Sequence, residues 1–257
     1  MSILQALLVG CVAALTQFEG GWLGECKLRE PVVTGFLVGL ILGDVQKGLI
    51  IGAELQMMWM GATGIGPTAQ LNIGTGGTIG TAVALMTGKG AAIAITFGLP
   101  VAVIMQFLDT LLMTGYSGLM HTVDKRIDEM KDKSIEYFHY FCGFCTFLMY
   151  FSLTFIVMYF GNSVIQGIVD GFPAWANSGL AAVSKILPAM GFALLLNLLL
   201  EKDLIPFFIL GFIITAYTEL TMVAVTAIAI GIAWIVYLLK SSSIDAAKKD
   251  EWEDETL

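Results

Sequence analysis

Long apolar stretches, separated by short polar or glycine-containing breaks, dominate the chain. They fall at residues 3–16, 31–43, 48–66, 74–88, 91–119, 136–161, 163–200 and 203–239. A helix needs about 20 apolar residues to cross a bilayer, so several of these stretches are too short or too rich in glycine to be plain spans. The pattern predicts an all-α fold, a polytopic membrane helical bundle with short, broken or re-entrant helices.

Composition supports this class of protein. Hydrophobic residues make up 57% of the chain and charged residues only 13%, with a mean hydropathy of +0.82. Soluble domains carry about 25% charged residues, so this chain needs lipid as part of its solvent. We therefore predict one membrane-embedded transport domain over residues 1–240, followed by an acidic, disordered tail over 241–257.

One charged, amphiphilic stretch interrupts the apolar pattern. Residues 121–135 carry apolar side chains at helical spacing between lysine, arginine and acidic residues, which predicts a helical extension outside the membrane. Both this stretch and the tail after Lys240 are rich in lysine, so the positive-inside rule places both in the cytoplasm. The first apolar stretch lacks a preceding cation, so we expect a membrane helix there rather than a cleavable signal.

Glycine spacing separates two regions. Glycines four residues apart at 35, 39 and 43, and again at 48 and 52, are typical of helices whose backbones pack closely in lipid. Glycines between 61 and 77 instead interrupt the helical pattern. Broken helices of this kind usually line a cavity, so we look for a substrate site there.

The candidate site residues cluster around this break. A carboxylate, a carboxamide and an aromatic ring stand close together at Glu54, Gln56 and Trp59, and these groups suit a sugar because its hydroxyls need hydrogen-bond partners and its ring packs on an aromatic face. Glu54 and Gln56 would diverge on a regular helix but share one cavity if this segment is unwound. Alternatively, Glu54 pairs with a backbone amide or a neighbouring subunit. Gln70 and Asn72 are further candidate sugar contacts.

Other polar residues in apolar surroundings have simpler explanations. For Glu19, Gln106 and Asp109 a structural or interfacial role is favoured. The same role is favoured for Gln17, although Gln17 is kept among the candidate sugar contacts. Asp44 lies where one helix ends and another begins, so we predict that it caps the second helix.

Catalysis, metal binding and nucleic-acid binding are not indicated. The two histidines lack a partner at ligand spacing, and the Cys142–Cys145 pair lies in an apolar run without a second pair, which favours small buried thiols. There is no phosphate-binding loop or nucleophile motif and no basic stripe for nucleic acid. We expect no catalytic residue, cofactor or metal.

Three segments resemble a known family. The run REPVVTGFLVGLILGDVQKGLIIGAELQ at 29–56 resembles the hallmark of IIC subunits of the bacterial phosphotransferase system (PTS), in the mannose–fructose–sorbose branch. GFALLLN at 191–197 followed by IPFFILGF at 205–212 resembles the late family signature, and the segment 174–180 also fits. The resemblance covers residues 3 to about 239.

The resemblance implies a division of labour. A IIC subunit pairs with a IID membrane subunit, these units look trimeric overall, and soluble IIB, supplied by IIA, donates the phosphate to the arriving sugar. It also implies a multi-pass protein of the bacterial inner (cytoplasmic) membrane. Some residues depart from the family pattern, among them Ala53, Gln56 and Lys185. Residues 186–192 look closer to amino-sugar members, which favours an N-acetylhexosamine, specifically N-acetylgalactosamine, and leaves other hexoses and uronate-containing oligosaccharides open.

Two other functions remain open from the sequence. An ion- or proton-coupled secondary transporter subunit would use ionisable residues at paired helix breaks, for which Glu54 and Glu219 are available. A structural or receptor subunit, such as a bacteriocin docking site, is compatible with transport.

Overall fold

The computed structural model describes residues 1–60, 71–129, 132–161, 165, 167, 169, 171 and 173–254. In this part of the chain nine α-helices are found: α1 (Ile3–Phe18), α2 (Pro31–Leu42), α3 (Val45–Trp59), α4 (Ile73–Thr87), α5 (Ala91–Asp128), α6 (Asp132–Phe160), α7 (Ala174–Leu199), α8 (Ile205–Tyr217) and α9 (Met222–Asp254). One turn of π-helix (Glu19–Leu23) follows α1, and a 3₁₀ turn (Lys202–Leu204) precedes α8. The predicted all-α class is confirmed.

The helix ends follow from capping residues in the sequence. Helix α2 ends at Gly43, whose φ of 87° is left-handed and therefore suits glycine. The Asp44 carboxylate accepts a hydrogen bond from the backbone N–H of Lys47 at 3.1 Å, so the predicted cap of α3 is confirmed. Asn72 caps α4 in the same way, by accepting from the backbone N–H of Thr75 at 3.1 Å.

Glycines hold α2 and α3 together as a tight antiparallel pair. A Cβ atom added to Gly35 would lie 2.5 Å from the carbonyl oxygen of Gly48, and one added to Gly39 would lie 2.9 Å from the carbonyl oxygen of Asp44. Only residues without a side chain allow this backbone approach, so the predicted close packing is confirmed for Gly35, Gly39, Gly48 and Gly52. Helices α4 and α5 meet in the same manner at Gly76 and Gly98. At Gly43 an added Cβ atom would meet no atom within 4 Å, so the prediction is wrong there.

Helix lengths fit a membrane protein that contains short helices. Within the described residues, four segments are long and apolar enough to cross a bilayer: Ile3–Leu23, Ala91–Asp128, Ile135–Phe160 and Met222–Lys240. Helices α2 and α4 are apolar but have only 12 and 15 residues. At 1.5 Å per residue they reach roughly 18–23 Å, which is less than the ~30 Å hydrocarbon core.

The chain divides into two compact units, Met1–Leu198 and Leu199–Leu257. In the first unit, α1, α4 and α6 bury apolar side chains against each other, among them Ala6, Val9 and Met158. In the second unit, α8 and α9 form a helix pair. The predicted extension at 121–135 begins as the last turns of α5, and most of the segment predicted as a disordered tail, 241–254, lies in α9.

Candidate functional site

A cavity of about 510 Å³ opens between the end of α1, the start of α4 and the facing sides of α5 and α6. Its volume is in the range of sites for small molecules. Polar and aromatic side chains line it, among them Gln17, Trp22, Arg29, Asn72, Asp109 and Tyr116. The full lining, which also includes residues of α6, comes from five separate parts of the sequence, so the cavity exists only in the folded helix bundle.

Four side chains from four helices form a hydrogen-bond network at this cavity. The Asn72 amide nitrogen donates to the Gln17 carbonyl oxygen at 2.9 Å and to the Tyr150 hydroxyl at 2.8 Å. The Gln17 amide nitrogen donates to the Asp109 carboxylate at 3.2 Å. Tyr150 itself is fully buried. Such a satisfied network fixes the orientation of its members.

A buried carboxylate organises one side of the cavity. Glu19 is fully buried, and its two oxygens accept hydrogen bonds from the backbone N–H groups of Lys27 and Arg29 at 2.7 and 2.6 Å. Nε of Arg29 lies 4.0 Å from Glu19, and its Nη2 donates to Glu25 at 2.8 Å. Residues 24–30, hereafter the strap, are thereby tied to the end of α1, and the strap brings Arg29 to the cavity.

Aromatic residues line the wall of the cavity between the π-helical turn and α6. The rings of Trp22 and His139 stack with centroids 4.2 Å apart and an interplanar angle of 14°. Trp22 packs directly over Gly143, where a Cβ atom would clash with its ring. Tyr116 closes the neighbouring wall, with its hydroxyl donating to the Cys142 carbonyl oxygen at 2.7 Å. Trp22, which is 41% exposed, lies at the cavity beside hydrogen-bonding groups, and this combination suits a ligand with one apolar and one polar side.

Two of the predicted sugar contacts, Gln17 and Asn72, lie together at this cavity. Gln70 lies outside the described residues. Glu54 lines a different cavity of about 140 Å³, together with Lys47 and residues at the α4–α5 turn. Gln56 donates to the Glu30 carboxylate.

Glu54 and Gln56 could share a cavity with Trp59 only if this segment were unwound. The segment is helical, so this expectation is wrong. Helix α3 is regular from Val45 to Trp59, so residues two apart point about 200° away from each other. Trp59 is 5% exposed and packs in the apolar core formed by α3, α4 and α5. The three residues therefore have three different environments.

Arg29, Asp109, Tyr116 and Tyr150 belong to the site or its network, and sequence reasoning did not select them. A weak signal existed for Asp109, since it stands three residues after Gln106 in an otherwise apolar helix and both line the cavity. The tyrosines carry no comparable signal, because most tyrosines in apolar helices pack without a functional role.

The remaining candidate groups do not form a metal or redox site in the described part of the chain. Groups of three or more metal-binding side chains were not found there. Cys142 and Cys145 are free and only half-buried, which corrects the expectation of fully buried thiols. Both cysteines are half-buried because the side of α6 on which they lie is partly exposed.

The chain is similar in sequence and in fold to known membrane proteins. The N-acetylgalactosamine permease IIC component 1 of Escherichia coli (strain K12) is 30% identical over 216 residues, covering 84% of this chain and 80% of that protein. A solved structure described as "Structure of membrane protein" has a TM-score of 0.82 at 27% identity, covering 93% of this chain and 96% of the other. The cryoEM structure of the mannose transporter ManYZ with microcin E492 has a TM-score of 0.58 at the same identity and coverage.

Residues 3–235 match the family EII-Sor, described as the PTS system sorbose-specific IIC component. This match covers most of the 257 residues, and it supports the phosphotransferase hypothesis rather than the ion-coupled alternative. The chain belongs to this family of IIC components and is a multi-pass membrane subunit of a PTS sugar transporter.

Proposed function

We propose that this subunit conducts an N-acetylhexosamine across the bacterial inner membrane and that the cavity between α1, α4, α5 and α6 is its sugar site. The observation that carries the proposal is the joint presence of polar groups with hydrogen-bonding capacity left, at Gln17 and Asp109, and the indole of Trp22 in one cavity of about 510 Å³. A pyranose presents hydroxyls around its edge and an apolar face, so it matches both features.

The proposed sugar is N-acetylgalactosamine. A relative named for this sugar is 30% identical over most of both chains, and residues 186–192 resemble amino-sugar members. The cavity supports a neutral substrate, because its guanidinium group, on Arg29, already pairs with Glu25 at 2.8 Å. The carboxylate of a uronate would need a cation that does not already pair with an acidic side chain.

The subunit is proposed to work with others. One structural relative is a ManYZ complex, which supports pairing with a IID membrane subunit, and we extend this to soluble IIB and IIA and to a trimer of IIC–IID units. The phosphate then comes from IIB, and this chain itself is not catalytic.

Transport with and without the phosphocarriers tests the role. The subunit in vesicles with IID, IIB, IIA and the general phosphocarriers is expected to take up N-acetylgalactosamine and deliver only the phosphorylated sugar. The same vesicles without IIB are the control and should not accumulate sugar. Uptake of unmodified sugar on a proton or sodium gradient would contradict the proposal.

Topology is tested by cysteine labelling. We propose that residues 121–135 and the tail after Lys240 face the cytoplasm. Single cysteines at Ser134 and Ser242, in a variant without the four native cysteines, should resist a membrane-impermeant maleimide in right-side-out vesicles and react in inverted ones. Labelling of either position from outside would overturn this orientation.

The other predicted contacts are tested by substitution. Glu54, Gln56, Trp59 and Gln70 remain predicted sugar contacts, although the first three lie in environments separate from the cavity. If this cavity is the sugar site, Glu54→Gln should leave the dissociation constant for N-acetylgalactosamine unchanged, whereas Trp22→Ala should raise it about five-fold, since aromatic contacts are worth about 1 kcal/mol. The reverse result would move the site to α3.

A further inference from the structure

The hydrogen-bond network at the cavity has a fixed direction, and a helix cap sets it. The backbone N–H of Thr75 donates to the side-chain oxygen of Asn72 at 3.1 Å. A backbone N–H can only donate, so this bond identifies the Asn72 oxygen without ambiguity, although amide orientations usually have to be assigned from their surroundings. The Asn72 nitrogen must therefore face the other partners and donate to them.

The direction then passes along one branch to a carboxylate. The Asn72 nitrogen donates to the Gln17 oxygen at 2.9 Å, which leaves the Gln17 nitrogen to donate to Asp109 at 3.2 Å. The Asn72 nitrogen also donates to the Tyr150 hydroxyl at 2.8 Å, and this second bond holds the Asn72 amide in place. The branch through Gln17 ends on Asp109 as the acceptor.

The two ends of the network differ in what they still offer. The Asn72 amide has both N–H groups occupied and its oxygen engaged in the cap, so it has little capacity left for a ligand. A carboxylate has about four acceptor positions, and the bond from Gln17 uses one of those on Asp109. Among the described residues, no lysine or arginine forms a salt bridge with Asp109, and Asp109 lines the cavity.

On these observations we propose that Asp109 is the specificity-determining hydroxyl acceptor of the sugar site, and that Asn72, Gln17 and Tyr150 are positioning residues that aim it. This inference rests on the proposed sugar-transport function and refines it. A sugar whose adjacent hydroxyls both donate to the free positions of Asp109 would be selected over one with a single donor at that edge, since hydrogen bonds to a charged group are stronger than neutral ones.

The substitution Asp109→Asn separates binding from structure. The new amide keeps an oxygen that accepts from Gln17, so assembly and melting temperature should not change. Its nitrogen, however, places a donor where the sugar needs an acceptor. The dissociation constant for N-acetylgalactosamine, measured by isothermal titration calorimetry on the complex of this chain with its IID subunit, is expected to rise ten-fold or more.

A second variant tests the direction of the network. Asn72→Asp keeps an oxygen to cap α4 but has no donor for Gln17 or Tyr150, so the Gln17 amide must turn its oxygen toward Asp109 and disturb it. We expect at least a ten-fold weaker affinity. Asn72→Ser, which also keeps a cap acceptor, should behave in the same way, whereas Asn197→Asp in α7 is the matched control and should bind normally.

Deoxy analogues of the sugar identify the contact. In the wild-type complex, one of the 3-, 4- and 6-deoxy analogues should bind more weakly than the parent sugar. In Asp109→Asn that analogue and the parent sugar should bind equally well, because the variant and the analogue remove the same hydrogen bond. If every analogue loses the same factor in both proteins, or if Asp109→Asn binds the parent sugar normally, the inference is wrong. If the wild-type complex binds neither N-acetylgalactosamine nor mannose, the proposed function itself fails.

Discussion

Replacing Glu19 by glutamine is expected to release the strap and disturb the cavity. The carboxylate of Glu19 is fully buried, and it is the acceptor for the backbone N–H groups of Lys27 and Arg29 at 2.7 and 2.6 Å. Glutamine has the same shape but only one oxygen. Its amide nitrogen would face a backbone N–H, so one of the two donors would lose its partner inside the protein.

The magnitude follows from the two bonds. Hydrogen bonds to a charged group contribute about 1.5–3 kcal/mol each, and neutral ones about 0.5–1.5 kcal/mol. Losing one charged bond and replacing the other by a neutral one should cost roughly 2–4 kcal/mol. For a chain of this size, 1 kcal/mol corresponds to a shift of about 2–4 °C, so we expect the melting temperature to fall by about 5–15 °C.

The assay is thermal unfolding of the purified protein, followed by the monodisperse fraction on size-exclusion chromatography. Glu25→Gln is the matched control, because it makes the same change in the same strap at a side chain that is 59% exposed. Exposed ion pairs contribute about 0–1 kcal/mol, so this variant should melt within about 3 °C of the wild type. Equal melting temperatures for the two variants would refute the assignment of Glu19 as the anchor of the strap.

Two further predictions concern helix packing and capping. Gly35→Ala should destabilise the protein by about 1–3 kcal/mol, because its Cβ would meet backbone atoms of α3. Gly115→Ala, which meets no atom within 4 Å, should instead be neutral or slightly stabilising in a thermal melt. The side-chain hydrogen bond from Lys47 lowers the pKa of Asp44, so the carboxylate stabilises the folded state above the ordinary pKa of an aspartate, and this contribution is lost as the pH falls through the lowered pKa. Asp44→Ala should therefore lower the melting temperature at neutral pH, and the difference from wild type should disappear at the acid end of a pH series.

Local features of the fold could be predicted because their causes are local. The turn at Gly43 and Asp44 requires only a residue that tolerates a left-handed backbone and a side chain that caps the next helix. The close approach of α2 and α3 follows from glycines one helical turn apart on each partner. Each of these signals lies within a few residues of the structure that it determines, so neighbouring sequence contains all the information.

The site could be predicted only in part, because its contacts join distant parts of the chain. The bond between Gln17 and Asp109 spans 92 residues, and the bond between Asn72 and Tyr150 spans 78. Nothing in the sequence specifies which faces of α1, α5 and α6 meet. For Glu54 and Gln56, the glycines that follow α3 suggested an unwound segment, but the helix remains regular as far as Trp59, and its periodicity then separates the two side chains.

The short helices explain why a polar site forms inside such an apolar bundle. Helix α4 has 15 residues, which are too few to cross the hydrocarbon core. At least one end of α4 must therefore lie within or near the membrane. A helix start exposes backbone N–H groups that need acceptors, and in lipid these must come from the protein. Asn72 supplies one of them, and because its oxygen is used for this purpose its nitrogen must donate elsewhere, to Gln17 and Tyr150. The need to cap one short helix thus creates a directed set of donors that end on Asp109, and the cavity beside it receives an oriented acceptor as a direct consequence of the fold.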